Sequence, residues 1–350
     1  MAIGRDDLAQ AVIADTPRPR LADGEVLLRV DRVGVTANNI TYGVLGDAMR
    51  YWQFFPPEPR GLEPTWGLPP LWGFADVAES TVAGVSVDQR FYGYLPAASH
   101  LVVRPDRIDA SGFREASAHR VDLPSPYNAY RLTTGDAAYA PEHEDLLILF
   151  RPLFFTSFML ADQLIDDEFY GATAVVFSSA SSKTAYATAF ELRGQGPRVI
   201  GLTSSTNAEF TRSLGCYDDV VSYEELAALD RDAKTVYVDL SGTLGTRAAL
   251  RRHLGDRLVQ DIAVGLTNQV SNIDAAQSFF FAPARMRKRG LDWGRAGLDQ
   301  RFTDAWHTFV DRATAWVDIR VGHGPEGLRA AWLDVLAGHT SPRVGHVIQL

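Results

Sequence analysis

Residues 173–201 read TAVVFSSASSKTAYATAFELRGQGPRVIG, and this stretch decides the fold. Ala174 to Phe177 is a short, valine-rich apolar run, the pattern of a strand covered on both faces. Ser178 to Ser182 is a run of small residues at which a backbone can turn sharply. Thr184 to Leu192 holds few helix breakers, and Gly194, Gly196 and Pro197 then stop the helix. Arg198 to Leu202 opens a second apolar strand. Strand, turn, helix and strand in one such stretch make a βαβ unit, with parallel strands and a right-handed crossover. The turn follows a strand's carboxyl end and begins a helix, where unpaired N–H groups and the helix dipole favour a phosphate. It is the first place at which the sequence predicts a ligand.

Downstream the same alternation continues. Helical patterns at Asn207 to Leu214, Glu224 to Leu229 and Leu244 to His253 are separated by strand-like runs. Those runs are Asp219 to Ser222, Thr235 to Leu240 and Leu258 to Leu266, and Ser278 to Ala282 adds one more. This is the order of a doubly wound parallel sheet. Asp299 to Ala315 carries Phe302, Ala305, Trp306, Phe309 and Val310 on one helical stripe. A strand at Ile319 to Val321, a helix at Leu328 to Leu336 and a strand at Val344 to Leu350 close the chain.

Upstream the pattern is different. Residues 24–39 read GEVLLRVDRVGVTANN, and Val26, Leu28 and Val30 alternate with Leu27, Arg29 and Asp31 as in a half-buried strand. Strand-like alternation returns at Gly73 to Val87, Arg90 to Tyr94 and Ser99 to Val103, which implies a mainly antiparallel β module over residues 20–125. Between them, residues 51–72 (YWQFFPPEPRGLEPTWGLPPLW) are too rich in proline for a helix or a central strand. Two readings stay open there, an aromatic loop packed on the surface and a lid or pocket wall. Residues 104–145 are irregular and suit a connection between domains. Leu147 to Ile165 is apolar with helical spacing.

Composition narrows the function. The 34 Lys and Arg against 43 Asp and Glu give a net charge of −9, a poor basis for nucleic-acid binding. The basic run Arg285-Met286-Arg287-Lys288-Arg289 reads as a solvated surface turn, and Asp166-Asp167 as a solvated helix end. The lone Cys216 excludes an intrachain disulfide and a zinc site built from several cysteines. No apolar run has the length of a membrane span or the plan of a signal peptide, so the expectation is a cytoplasmic protein without a membrane partner. A hydrolase triad lacks its Gly-x-Ser-x-Gly elbow.

Several stretches resemble the medium-chain dehydrogenase/reductase superfamily. GEVLLRVDRVGVTANNITYG is similar to that superfamily's opening strand and turn, and LPPLWGFADVAESTVAGVSVDQRFYG to its segment ending in a Gly-Asp-Arg-Val-like turn. LGCYDDVVSY, VYVDLSG and LAGHTSPRVGHVIQL resemble its later strand ends and its closing helix and strand. The resemblance covers nearly the whole chain and is nearest to the zinc-free quinone oxidoreductase and enoyl reductase branch. It implies an α/β fold in which a Rossmann domain, residues 141–285, interrupts a β-rich, GroES-like catalytic domain. That domain would come from both chain ends, residues 1–140 and 286–350.

The resemblance also implies sites. The superfamily's Ala-x-Gly-x-x-Gly turn reads Ala180-Ser181-Ser182-Lys183-Thr184-Ala185 here, so hydroxyls and an ammonium stand where glycines usually admit a pyrophosphate. Ser179 precedes that turn. Two readings of it are open, a phosphate site with added charge and a site that has decayed. At the end of the second strand, Thr203-Ser204-Ser205 offers hydroxyls and no carboxylate, which suits a 2′-phosphate and favours NADP(H) over NAD(H). Tyr223 and Arg343 are further candidates for that phosphate, although Asn207 stands where the branch usually has a lysine. Ser241, Gly242 and Gly265 would flank the nicotinamide, with Phe280 and Phe281 as walls or as part of a dimerising edge. Tyr42, in NNITYG, matches the branch's tyrosine after the first strand, and Asn38 and Asn39 are neighbouring amide donors. The expected activity is zinc-independent hydride transfer to a small-molecule quinone, enone or conjugated thioester. The alternative is a lyase, isomerase or ligand-binding protein on the same scaffold.

Overall fold

The computed structural model describes residues 1–264 and 278–350. The chain divides into two compact units, Met1–Leu149 with Val317–Leu350, and Phe150–Trp316.

The first unit is β-rich. Its strands are β1 (Ala2–Gly4), β2 (Ala11–Val12), β3 (Val26–Val35), β4 (Trp66–Gly67), β5 (Pro70–Ser80), β6 (Arg90–Pro96), β7 (His100–Val103), β8 (Pro105–Asp109), β9 (Gly112–Glu115) and β10 (Ala129–Leu132). Helix α1 spans Ala37–Val44, and α2, Glu144–Asp166, carries the chain out of the unit. Residues 104–145 are thus more than a connection, since β8, β9 and β10 pair antiparallel with one another and with β6. They escape a pattern reading because each is only four or five residues long.

The aromatic stretch also lies in the core. Tyr51, Trp52, Phe54 and Phe55 are all buried. Trp52 fits because Gly46 and Gly67 leave room for it: a Cβ on either would come within 2.6 Å of its ring atoms. An ionic network ties the central strands β3, β5 and β6 to the start of α2. Arg90 bonds Asp31 at 2.7 Å, Asp76 at 2.9 Å and Glu144 at 2.6 Å, and lies over the Phe74 ring.

The second unit holds the expected parallel sheet. Its strands are β11 (Ala174–Phe177), β12 (Arg198–Thr203), β13 (Asp219–Ser222), β14 (Thr235–Asp239), β15 (Leu258–Val264) and β16 (Ser278–Phe280), in the order β13-β12-β11-β14-β15-β16. Every pairing among them is parallel. Helices α3 (Lys183–Glu191), α4 (Ala208–Ser213), α5 (Leu244–Leu254) and α6 (Ala282–Trp316) belong with it. Strand order reverses between β11 and β14, so the crevice at their carboxyl ends is the place where such sheets take ligands.

Two sequence expectations fail in this unit. Arg285 and Arg289 belong to α6, not to a solvated turn: both are buried, bonded to Asp162 and Asp166 of α2. Those ion pairs hold the Asp166 carboxyl below the usual carboxylate range. The chain also leaves the unit at Val317, not at 286, because α6 packs its aromatic stripe here, with the Phe154 and Phe309 ring centres 4.5 Å apart. Contrary to the sequence expectation, Pro141–Asp166 is long and apolar enough to cross a membrane, yet 56% of an 18-residue apolar stretch within it is buried in the fold.

After α6 the chain re-enters the first unit with β17 (Asp318–His323), α7 (Gly324–Leu336) and β18 (Val344–Gln349). β18 pairs antiparallel with β3, completing a mixed sheet in the order β17-β18-β3-β5-β6-β10-β9-β8, with β7 also on β3.

Candidate functional site

The turn after β11 is built of side chains that hold it from below. Ser178 is fully buried and donates to Asp239 at 2.8 Å, while its own oxygen accepts from the N–H groups of Leu240 and Ser241. Asp239 ends β14. One of its oxygens also accepts from Tyr237 O–H, from Ser241 N–H and O–H, and from Gly242 N–H, all within 3.1 Å. The crevice at the switch point is therefore bridged by hydrogen bonds. The N–H groups of Ser241 and Gly242, expected beside a nicotinamide, are committed to Asp239.

The rest of the turn faces a different task. Ser179 adopts φ +48°, a left-handed conformation that a serine tolerates less easily than a glycine. Its N–H donates to the Tyr223 hydroxyl at 2.8 Å. With that lone pair occupied, the Tyr223 proton is left to be donated elsewhere. Ala180 is buried, held by Tyr217, whose hydroxyl donates to the Ala180 carbonyl at 2.8 Å. Ser181 accepts from Asn207 Nδ2 at 3.3 Å and from Thr203 at 3.5 Å, which joins the end of β12 to the turn. Ser182 caps α3, accepting from Ala185 N–H at 3.4 Å.

Lys183 is the first helical residue, half-buried, with its ammonium 5.9 Å from the Phe150 ring centre. Burial lowers its pKa to about 8. The N–H groups of Ser181 and Thr184 have no acceptor among the described residues. Ser204 is half-buried and Ser205 exposed, and no carboxylate stands between Thr203 and Asn207. The set consists of N–H donors, hydroxyls and one ammonium, and it fits an anion. The cost is close approach, since Ser182 carries a side chain where a glycine-rich turn would leave room.

Arg343 belongs to the first unit and bonds Asp318 at 3.0 Å. Gly265 lies outside the described residues. Phe279 and Phe281 are exposed on and beside β16, their rings stacked 6.5 Å apart, while Phe280 is buried.

In the first unit, Tyr42 on α1 is 4% exposed. Its oxygen accepts from Asn38 Nδ2 at 2.7 Å and from Trp72 Nε1 at 3.2 Å. Burial pushes its pKa well above the ordinary phenol range, so it is a neutral donor and not a base. Asn39 serves the backbone, accepting from Thr36 N–H at 2.8 Å and donating to the Pro70 carbonyl at 3.0 Å. Sequence reasoning missed Trp72, Tyr217 and Asp239, which reach their partners only through the fold.

Among solved structures, CurA from Vibrio vulnificus, determined in complex with NADPH, is 14% identical with a TM-score of 0.64, over 99% of this chain and 96% of that one. A putative NADPH:quinone reductase from Mesorhizobium loti is 14% identical with a TM-score of 0.58, over 95% and 88% of the two chains. Another from Bacillus thuringiensis is 13% identical with a TM-score of 0.54, over 95% and 92%. At such identities the likeness shows the fold, a Rossmann-type unit with a β-rich unit made from both chain ends. No curated protein matches the chain. A family model described as "Protein of unknown function (DUF2855)" matches residues 33–341.

Proposed function

We propose, from the premise that the chain belongs to the DUF2855 family, that it is an NADP(H)-dependent oxidoreductase reducing a conjugated acceptor. The observation that carries this reading is the donor-only set at the carboxyl end of β11, beside the switch point. Ser181, Ser182, Lys183 and Thr184 would hold the pyrophosphate, and Ser204, Ser205 and Tyr223 the 2′-phosphate. The bound dinucleotide supplies hydride. The Tyr42 hydroxyl, kept protonated by burial, would give the acceptor its proton. Acceptors that suit this pair are a quinone, an enone or a conjugated thioester. Polarisation by hydrogen-bond donors without zinc accords with a lone Cys216 whose thiol burial pushes up to about 12, a poor zinc ligand.

Calorimetric titration with NADPH and with NADH tests the reading, together with NADPH oxidation in the presence of enones and quinones. The parent should bind NADPH more tightly than NADH. Tyr223→Phe should weaken NADPH about ten-fold, the worth of one hydrogen bond to a charged group, and NADH much less. Equal losses would remove Tyr223 from the 2′-phosphate. No heat with either nucleotide would sink the oxidoreductase.

The exposed Phe279 and Phe281, on and beside a strand that pairs only with β15 among the described residues, favour self-association through this edge. Sedimentation should then give a dimer for the parent and a monomer for Phe279→Asp. A monomeric parent would end the idea.

A further inference from the structure

The parallel sheet of the second unit is thinly covered at one place. Between β13 and β14 the chain crosses with Tyr223–Ala228, six residues of 3₁₀-helix bent at Glu225. By comparison, α3 and α5 supply nine and eleven helical residues. Parallel strands are usually joined by an α-helix, whose apolar stripe fills the space above the sheet. Below the short crossover lies a cavity of about 130 Å³. Ala174, Val176 and Ile200 of the sheet line it, together with Leu229 after the crossover and Leu254 at the end of α5. All five are buried. A space of this size is uncommon in an interior packed as densely as an organic crystal.

Its position separates it from the turn after β11. The cavity opens at the amino ends of β11, β12 and β14, whereas residues 178–182 follow the carboxyl end of β11. Its walls suit an apolar body. The Thr173 and Thr235 hydroxyls beside it are donated to the carbonyls of Lys234 at 3.4 Å and Ala233 at 3.0 Å. Water would need several polar partners there, whereas an engineered cavity of about 150 Å³ with similar aliphatic walls takes up benzene. The rim adds a charge. Arg198 opens β12 with its side chain 62% exposed, and it pairs loosely with Asp219 at 3.9 Å. Asp230, on the same rim, has one carboxylate oxygen bonded to the Asp232 N–H at 2.9 Å.

We infer that this cavity is a binding site for a small monocyclic aromatic acid. Its ring would lie among Val176, Ile200, Leu229 and Leu254, and its carboxylate at the Arg198 guanidinium. The site is independent of the dinucleotide reading, and both ligands can be held at once.

Benzoate is the probe, with toluene as its uncharged counterpart. In full-length protein with carbon-13 labelled methyl groups, benzoate should shift the signals of Val176, Ile200, Leu229 and Leu254 and reach saturation. Ala233→Leu puts a larger side chain on the cavity's rim and should abolish those shifts. Arg198→Met should weaken benzoate about three-fold, the worth of an exposed ion pair, and leave toluene unchanged. Methyl signals that stay still with both probes, or shifts that survive Ala233→Leu, would overturn the site. An equal response of both probes to Arg198→Met would overturn the carboxylate's place. If Ala233→Leu does not fold, the methyl shifts of the parent and Arg198→Met decide.

Discussion

Lys183→Met should weaken NADPH binding roughly 30-fold, the loss of a charge-assisted contact of about 2 kcal/mol, and should also remove the pH dependence of that binding above pH 8. Both effects come from one cause. The ammonium is half-buried at the start of α3, and burial lowers its pKa from 10.5 to about 8. Between those values the unfolded chain binds more protons than the folded one, so the lysine's contribution to stability improves as pH rises through that window. Below pH 8 the folded protein carries the full penalty of a desolvated charge. A bound phosphate would stabilise the same charge. NADPH affinity should accordingly fall as pH rises above 8, with proton uptake on binding, and the variant should lose that dependence. Titrations with NADPH across pH, in buffers of different ionisation enthalpy, measure the two effects. A variant that binds NADPH like the parent would remove Lys183 from the phosphate site.

Arg120→Ala should cost about 4 kcal/mol of stability, because it strands a buried carboxylate. The Arg120 and Glu115 side chains are 2% and 1% exposed, with Nε and Oε2 3.3 Å apart. The guanidinium also donates to Asn128 and Tyr130 and lies over the rings of Phe54 and Phe55 at 5.2 and 5.3 Å. It thereby fastens the aromatic segment to β9 and β10. Chemical denaturation should show most of the loss recovered when Glu115→Gln is combined with Arg120→Met, which leaves no unpaired charge. A loss under about 1 kcal/mol for the alanine variant would mean that the pair relaxes toward water.

What could be read from sequence was what local pattern carries. Ala174 to Phe177 is buried throughout, and a run of that kind admits few alternatives. The parallel order followed because strands and helices alternate at short range. The misreadings share another origin. Arg285 and Arg289 look like a solvated basic run until Asp162 and Asp166, more than a hundred positions earlier, arrive beside them. Trp52 precedes a proline-rich run and is loop-like in sequence, and it is buried where Gly46 and Gly67, on either side of it in the chain, leave a slot. The turn after β11 was found because it follows a strand, but what supports it was not. Asp239 and Tyr217 approach it from strands and loops that no spacing rule connects to Ser178.

The first unit is closed by its last strand, and this bears on how the protein is made. β3 gains β18 as a neighbour only after all of Phe150–Trp316 has been synthesised. Translation adds about 5–20 residues per second, so the open flank of β3 waits on the ribosome for many seconds. During that wait the second unit, with its short-range alternation, can fold from its own contacts. The nascent chain should therefore be most vulnerable to misassembly and chaperone capture at β3, while its middle is already native.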